Sequence, residues 1–374
     1  MTISYHRPTK AVIDLNAIQQ NVEQEKRRHD DKEIFAVVKA DGYGHGAVPI
    51  AKAALAAGAK GFCTATLDEA LELRHNGLTQ PILILGIIAA ADAPLAAAYN
   101  LSVPVVEISW LKEAANYLTD TSLMLRIHIK ADTGMGRIGF LSTTEINQAV
   151  EIIEDKEYFY WEGIFTHFST ADQADVQYFQ AQSQCFNDIL QALPYKPKYI
   201  HTANSATAMW HEDVGNMVRL GVAMYGLNPS GTALEPTYPL QPALSLVSEI
   251  AQTKKLPKGY GIGYGKTYET KEEEWIATIP IGYADGYTRD MQGFHVLING
   301  ESCEVVGRVC MDQIMVRLPR EIVAGTKVTL VGKNGTKEIT LQDIAAYKGT
   351  NNYEVACLIS GRVPREYVGK GRCL

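Results

Sequence analysis

Lys39 closes the apolar run of "FAVVKADGYGHG" (35–46), directly before a turn that carries Gly42, Gly44 and Gly46. A lysine desolvated at a strand end titrates low and becomes a usable amine, either as a base or as a Schiff-base former. A lysine snorkelling off a strand end would read the same over these twelve residues. Other apolar runs also end in polar groups. "IKADTGMGRIGF" supplies Lys130, Asp132 and Arg137, and "GIFTHF" supplies Thr166 and His167. "HTANSA" supplies His201, Asn204 and Ser205, and the eighth run carries Arg219 shortly before Gly221. One such residue is ordinary satisfied polarity. Residues of this kind at five of eight run ends point to a site.

The elements that must position them are short apolar runs at 34–39, 61–66, 82–86, 103–108, 123–129, 163–168, 199–204 and 218–226. Each is followed by a segment of helical type, clearest in "GAVPIAKAALAAGA" and "TLDEALELRHNG", with apolar positions three and four apart and a glycine stop. Eight evenly spaced units predict a (β/α)₈ barrel; a doubly wound sheet is the alternative. In such barrels the chemistry lies at the C-terminal strand ends, where the polar residues above would gather. Gly221 and Val222 would offer backbone amides, and Ser205 and Tyr43 hydroxyls, to a phosphate. A reactive lysine beside a phosphate cradle implies pyridoxal phosphate. His45, His167 and His201 lack metal-ligand spacing, so no metal is expected; His45 and His201 read as structural.

After about residue 230 the texture changes to short strands separated by glycine-containing turns, such as "ALSLVSEI", "SCEVVGRV" and "KVTLV". "NPSGTALEPTYP" (228–239) has linker-like composition. The expected division is a barrel over 1–232 and a mostly β domain over 233–374. Apolar residues make up 46% and charged ones 21%, with a net charge of −7, which is ordinary globular composition. No Lys/Arg block exists to hold nucleic acid. The start, "MTISYHRPTK", lacks a secretory pattern. The stretch 81–99 is broken by Gly86, Asp92 and Pro94, and so reads as a core strand and helix, not a membrane span. Cys63, Cys185, Cys303, Cys310, Cys357 and Cys373 show no C-x-x-C spacing, which fits reduced thiols and a cytoplasmic location.

The motifs "AVVKADGYGHG", "IKADTGMGRIG", "GIFTHFSTAD", "HTANSA", "MVRLGVAMYG", "GYGIGYG", "IGYADGYTR", "GRVCMDQ" and "NYEVACLISGRVPR" occur in order over nearly the whole chain. Together they resemble the alanine racemases, a family with a barrel domain followed by a β domain. Leu220 stands where that family commonly has proline, and Gly263 where it commonly has serine.

The resemblance implies interconversion of L- and D-alanine, supplying D-alanine for cell-wall peptidoglycan. It makes Lys39 the holder of pyridoxal phosphate and the base for the D-enantiomer, and Tyr264 the base for the L-enantiomer. His167 would contact that tyrosine and Arg219, and Arg219 would face the pyridine nitrogen. Because guanidinium cannot accept the ring proton, the ring would stay largely unprotonated, which suppresses transamination. Tyr43, Asn204, Ser205, Gly221, Val222 and Tyr353 would hold the cofactor. Arg137 and Met311 would hold the substrate carboxylate, with Tyr283 beside them and Lys130 a candidate for carboxylation. Tyr264, Tyr283 and Met311 would reach the site from the second subunit of a homodimer. The rivals are a racemase of another small amino acid such as serine, a non-catalytic cofactor carrier, and a decarboxylase. The β domain with Tyr264 opposes the carrier. Arg219 opposes the decarboxylase.

Overall fold

The eight apolar runs form eight parallel strands: Glu33–Val37, Gly61–Thr64, Ile82–Ile84, Ser102–Val105, Leu125–Lys130, Phe159–Phe165, Tyr199–His201 and Met217–Leu220. In this computed structural model, which describes residues 2–119 and 121–369, they pair in chain order. The last strand returns to the first, with Arg219 opposite Phe35. Between the seventh and eighth strands, Asn216 N–H donates to the Ile200 carbonyl (2.9 Å) and Arg219 N–H to that of Ala203 (3.0 Å), completing the ring. The doubly wound alternative is therefore excluded.

Helices cover the outer face of this barrel, so its strands are buried on both sides and read as continuous apolar runs. Ile34, Phe62, Leu83, Ile127 and Ile164 are buried. Each such side chain stabilises the fold by roughly 1.5–3 kcal/mol. Helix starts follow from local chemistry. Thr66 and Glu69 form a reciprocal capping box at Leu67–His75, and Ser142 caps Thr143–Glu154.

The chain divides into two compact units, one comprising Asn16–Gly42 and Gly46–Pro242, the other the segment ending at Leu15, Tyr43–His45 and Ala243–Gly369. Two details depart from a barrel over 1–232. The strand Lys10–Asp14 belongs to the β unit, antiparallel to Leu244–Glu249 and parallel to Arg365–Val368. Its alternating burial, with Ala11 and Ile13 inside, is the period of a half-buried strand in such a sheet. The segment 228–239 is not a free linker. Tyr238 is buried and donates to Glu25 Oε2 (2.5 Å), and Trp210 Nε1 donates to the Glu235 carbonyl.

In the β unit the main sheet has the order Glu301–Glu304, His295–Ile298, Lys327–Asn334, Leu244–Glu249, Lys10–Asp14, Arg365–Val368. A second sheet pairs Gln252–Leu256, Glu274–Ile279 and Ile314–Leu318. Cys63, Cys185, Cys303 and Cys310 are free thiols, while Cys373 lies outside the described residues. Among the described residues no helix is long and apolar enough to cross a membrane.

Candidate active site

The first barrel strand stops at Val37, and Lys39 opens a turn wound the wrong way for L-residues. Ala40, Asp41, Gly42 and Tyr43 have φ of 52°, 51°, 60° and 53°. Such a left-handed run costs roughly 1–2 kcal/mol for each residue that carries a Cβ. It persists because its backbone is bonded from several sides. Gly42 N–H donates to the Val38 carbonyl (2.8 Å), Gly46 N–H to that of Asp41 (2.8 Å) and Ala40 N–H to Glu69 Oε1 (2.7 Å). Glu69 Oε2 also accepts from Ala65 and Thr66, so the loop after the second strand holds the turn after the first. Lys39 is half-buried on this turn.

Arg219 lies inside the barrel with 3% of its surface exposed. Its Nη2 donates to the carbonyls of Thr166 and Thr202 (3.0 Å each) and faces His167 Nδ1 (3.3 Å). Its Nη1 donates to the His201 carbonyl (3.1 Å) and to His201 Nδ1 (2.7 Å). Guanidinium only donates, so both histidine Nδ1 atoms are acceptors. Burial, followed by the Arg219, Arg137, Lys130 and Lys39 charges, holds His167 well below the usual histidine range. The same two causes, burial and then Arg219, lower His201. Both rings are therefore neutral at pH 7.

Lys130 is buried and donates to the Ala131 carbonyl (2.8 Å), with its Nζ 5.4 Å from the Phe165 ring centre. Burial, assisted by the Arg219 charge, brings its pKa down to about 7. Asp132 collects the N–H groups of Gly134, Gly136 and Arg137 (3.0, 3.1 and 3.0 Å), folding the loop that presents the exposed Arg137. Burial raises the Asp132 carboxyl, but these three N–H bonds outweigh it and keep the pKa low. A chain of net charge −7 thus gathers the basic side chains of Arg219, Arg137, Lys130 and Lys39 about His167.

Ser205 is buried, and its Oγ accepts from Gly221 N–H (3.0 Å) and Ala223 N–H (3.3 Å). With both bonds accepted, the hydroxyl proton is the donor it has left. Asn204 Oδ1 is engaged as the cap of Ser205–Trp210 through Thr207 N–H (2.9 Å), which leaves its amide nitrogen for a ligand. In the β unit, the Tyr43 and Tyr353 rings lie 6.2 Å apart, and Tyr283 N–H donates to the Cys310 carbonyl beside Met311 (3.0 Å). Tyr264 sits at the tip of a hairpin whose strands are Gly261–Ile262 and Tyr268–Glu269. It is 71% exposed, and Tyr283 and Met311 are exposed as well. Gly263, just before it, has φ 68° and ψ −173°, a region essentially closed to residues with a Cβ.

The barrel unit therefore gathers Arg219, His167 and Lys130 into one charged cluster, with Ser205, Gly221 and Val222 on neighbouring chain segments. His128 and Glu162 join it through His201, which reads as structural in the sequence but bonds Arg219 directly, while Glu69 holds the turn that carries Lys39; the sequence motifs single out neither His128, Glu162 nor Glu69. His128 alternates with Arg126 and Lys130 along its strand, whereas Glu162 is the extra residue at a register shift between the fifth and sixth strands, so alternation alone does not signal it.

A closed parallel barrel whose strand ends carry an amine on a strained turn and a cluster of basic side chains can hold a small anionic ligand beside a reactive amine. The comparisons narrow this. The family model described as the alanine racemase N-terminal domain matches residues 13–229, and that of the C-terminal domain matches 243–367. The chain belongs to the alanine racemase family. It is 53% identical to the alanine racemase of Ligilactobacillus salivarius over 370 residues, covering 98% of this chain and 100% of the relative. A crystal structure of alanine racemase from E. faecalis superposes with a TM-score of 0.97 at 55% identity, covering 98% and 100% of the two chains. A histidine racemase from Leuconostoc mesenteroides superposes with a TM-score of 0.94 at 34% identity, over 98% and 100%.

Proposed function

We propose that the chain racemises alanine with pyridoxal phosphate as cofactor, in the cytoplasm, supplying D-alanine for the cell wall. The observation that carries this reading is the buried Arg219, charged and bound on both nitrogens, between the Lys39 strand and the Ser205–Gly221 cradle. The donor set fits the cofactor. Lys39 offers an amine, Ser205 a hydroxyl proton with amides behind it, and Arg219 a donor for the ring nitrogen. Tyr43, Asn204, Val222 and Tyr353 would complete the cradle. When bound, the cofactor draws electrons from the Cα–H bond of the amino acid joined to it.

The protein's own residues set which protons move. Lys39 serves the D-face of Cα and Tyr264 the L-face. A neutral His167 whose Nδ1 accepts from Arg219 can only donate through Nε2. Donation to the Tyr264 oxygen favours phenolate, which a tyrosine of ordinary pKa about 10 needs to act as a base near neutrality. Arg137 and the Met311 backbone bind the carboxylate, and Tyr283 narrows the pocket. Tyr264, Tyr283 and Met311 are supplied by the second copy in a homodimer.

Incubating L-alanine with the holoenzyme in D₂O tests the reading. Optical rotation is expected to decay to zero while deuterium enters Cα in step. Loss of rotation without deuteration, or formation of a keto acid or an amine, would count against racemisation. L-serine and L-histidine belong in the same assay, because the histidine racemase shares the fold. One methylene or hydroxyl is worth only ~1–3 kcal/mol in a pocket, so slow serine turnover is expected and histidine turnover is not.

Lys130 is proposed to be carboxylated. At a pKa of about 7 much of its amine is neutral near pH 7–8 and nucleophilic. Its lone pair attacks the carbon of CO₂ and its N–H proton passes to water, leaving a carboxylate among the charges of Arg137 and Arg219. ¹³C-bicarbonate should give a carbamate resonance that Lys130→Ala lacks. The same substitution should raise KM for alanine roughly 10-fold with a smaller change in kcat, as expected when a group that orients Arg137 is lost. A wild-type enzyme that shows no such resonance in saturating bicarbonate at pH 8 would refute the modification.

A further inference from the structure

Behind Arg219 a chain of buried polar groups crosses the barrel interior, and the reaction above does not use it. His201 Nε2 lies 2.8 Å from His128 Nδ1, and His128 Nε2 lies 3.2 Å from Glu162 Oε2. Glu162 Oε2 also accepts from Ser102 Oγ (2.5 Å), and Oε1 accepts from Arg126 Nη1 (2.8 Å). The rings are held in plane from the side. Phe165 stacks on His201 with centroids 4.6 Å apart at 9°, and Tyr199 stacks on His128 at 5.8 Å and 24°. His128, His201, Glu162 and Arg219 are all buried.

The two ends of this chain determine every proton in it. Arg219 can only donate, so His201 Nδ1 accepts and the proton of a neutral His201 must sit on Nε2. That proton points at His128 Nδ1, which must accept. The His128 proton then sits on Nε2 and points at Glu162, which as a carboxylate can only accept. Burial raises the Glu162 carboxyl, but the bonds from His128 and Ser102 and the Arg126 charge outweigh this and bring it to about 2. Burial lowers His128, with Glu162 opposing only in part. The wiring has one consistent direction, and an acid–base pair of fixed polarity anchors each end.

We propose that Glu162, acting through His128 and His201, is a positioning residue for Arg219: its carboxylate locks both histidines in the Nε2–H tautomer and so keeps His201 Nδ1 as the acceptor that orients the guanidinium. The proposal rests on the reading that Arg219 serves the reacting site, and it adds the device that holds Arg219 there. A relay of neutral rings also keeps a transferable proton away from the donor side of Arg219. No group between Glu162 and Arg219 can reverse without leaving two donors face to face.

Glu162→Gln is the informative substitution because it keeps the shape. Arg126 can only donate whereas Ser102 and His128 can also accept, so the amide oxygen turns to Arg126 and the NH₂ turns to Ser102 and His128. His128 Nε2 must then accept, its proton moves to Nδ1, His201 follows, and His201 Nδ1–H meets the Arg219 donor. Hydrogen bonds to charged groups are worth about 1.5–3 kcal/mol, so kcat for alanine should fall roughly 10-fold or more. The pair Arg126→Ala, Glu162→Gln frees the amide to turn its oxygen back to His128. The double variant should therefore recover to within about threefold of Arg126→Ala alone, since the relay contributes little else to turnover.

The wiring is read directly by ¹⁵N NMR of the histidine rings, in both cofactor-free protein and holoenzyme. His128 and His201 are expected as Nε2–H tautomers in the wild type and in the double variant, and as reversed or exchanging tautomers in Glu162→Gln. A wild-type His201 that is protonated on Nδ1, or on both nitrogens, would overturn the proposal whether or not any variant folds. So would an unreversed His201 in Glu162→Gln, or a double variant no better than Glu162→Gln. Reversal with full retention of kcat would likewise refute the positioning role. These ring spectra do not depend on which reaction the holoenzyme catalyses, so a failed relay and a failed racemase reading give different results.

Discussion

Lys39→Ala should lower racemisation in both directions by at least about 10³-fold, because the proposed reading gives this one residue both a general-base and a covalent-catalysis role. The geometry around Lys39 explains why no neighbour can substitute. The turn that carries it is held in the left-handed region at Ala40, Asp41 and Tyr43 by bonds from Val38, Glu69 and Asp41 itself. Strain of this kind persists where the surrounding structure over-determines it, and here it aims a single amine. Lys130 is the other amine within the charged cluster, but it is buried against Phe165 and turned to a backbone carbonyl. Borohydride reduction of the holoenzyme followed by peptide mapping is the direct check. The cofactor label is expected on Lys39 and absent from the Lys39→Ala protein, which should also lose the yellow colour. A label on Lys130 would transfer the role and overturn the assignment.

The barrel was legible because parallel strands buried on both faces leave unbroken apolar runs, and all eight runs became strands. Their ends were less legible. The run 34–39 stops at Val37, since the residues after it enter a turn whose handedness no apolar pattern encodes. The run 218–226 yields a strand only to Leu220, and Val222–Tyr225 tightens into a 3₁₀ turn behind Ser205. Lys10–Asp14 escaped notice because five residues of alternating burial carry little signal until Leu244–Glu249 and Arg365–Val368 flank them. The same limit applies to the site. Lys39, Arg219 and His167 stand beside glycines or at run ends and so announce themselves. His128 and Glu162 sit mid-strand, where a polar residue has meaning only through its partners on other strands. The sequence holds those partners 34 to 73 positions apart.

Tyr264→Phe should separate the two faces of Cα. Removing a general base typically costs roughly 10²–10⁴-fold, and full turnover should fall by that amount in both directions because each racemisation needs both bases. The half-reactions are where the asymmetry appears. In D₂O, exchange of the Cα proton of D-alanine, driven by Lys39, should survive, while exchange of L-alanine collapses; NMR of each enantiomer measures both. The hairpin tip that carries Tyr264 exposes 71% of the side chain, and Tyr260 nearby is exposed as well. Mere surface tyrosines at a glycine-rich tip would give no effect of the substitution. As the proposed L-face base, a side chain so open within one chain would complete its environment in a second subunit. Mixing the inactive Lys39→Ala and Tyr264→Phe proteins should then restore activity. A hybrid pair contains one site with Lys39 from one protomer and Tyr264 from the other. If the subunits exchange, as shown by tagged protomers, and activity stays at zero, the shared site is wrong. If exchange of both enantiomers falls equally, Tyr264 supports the site without acting as the L-face base.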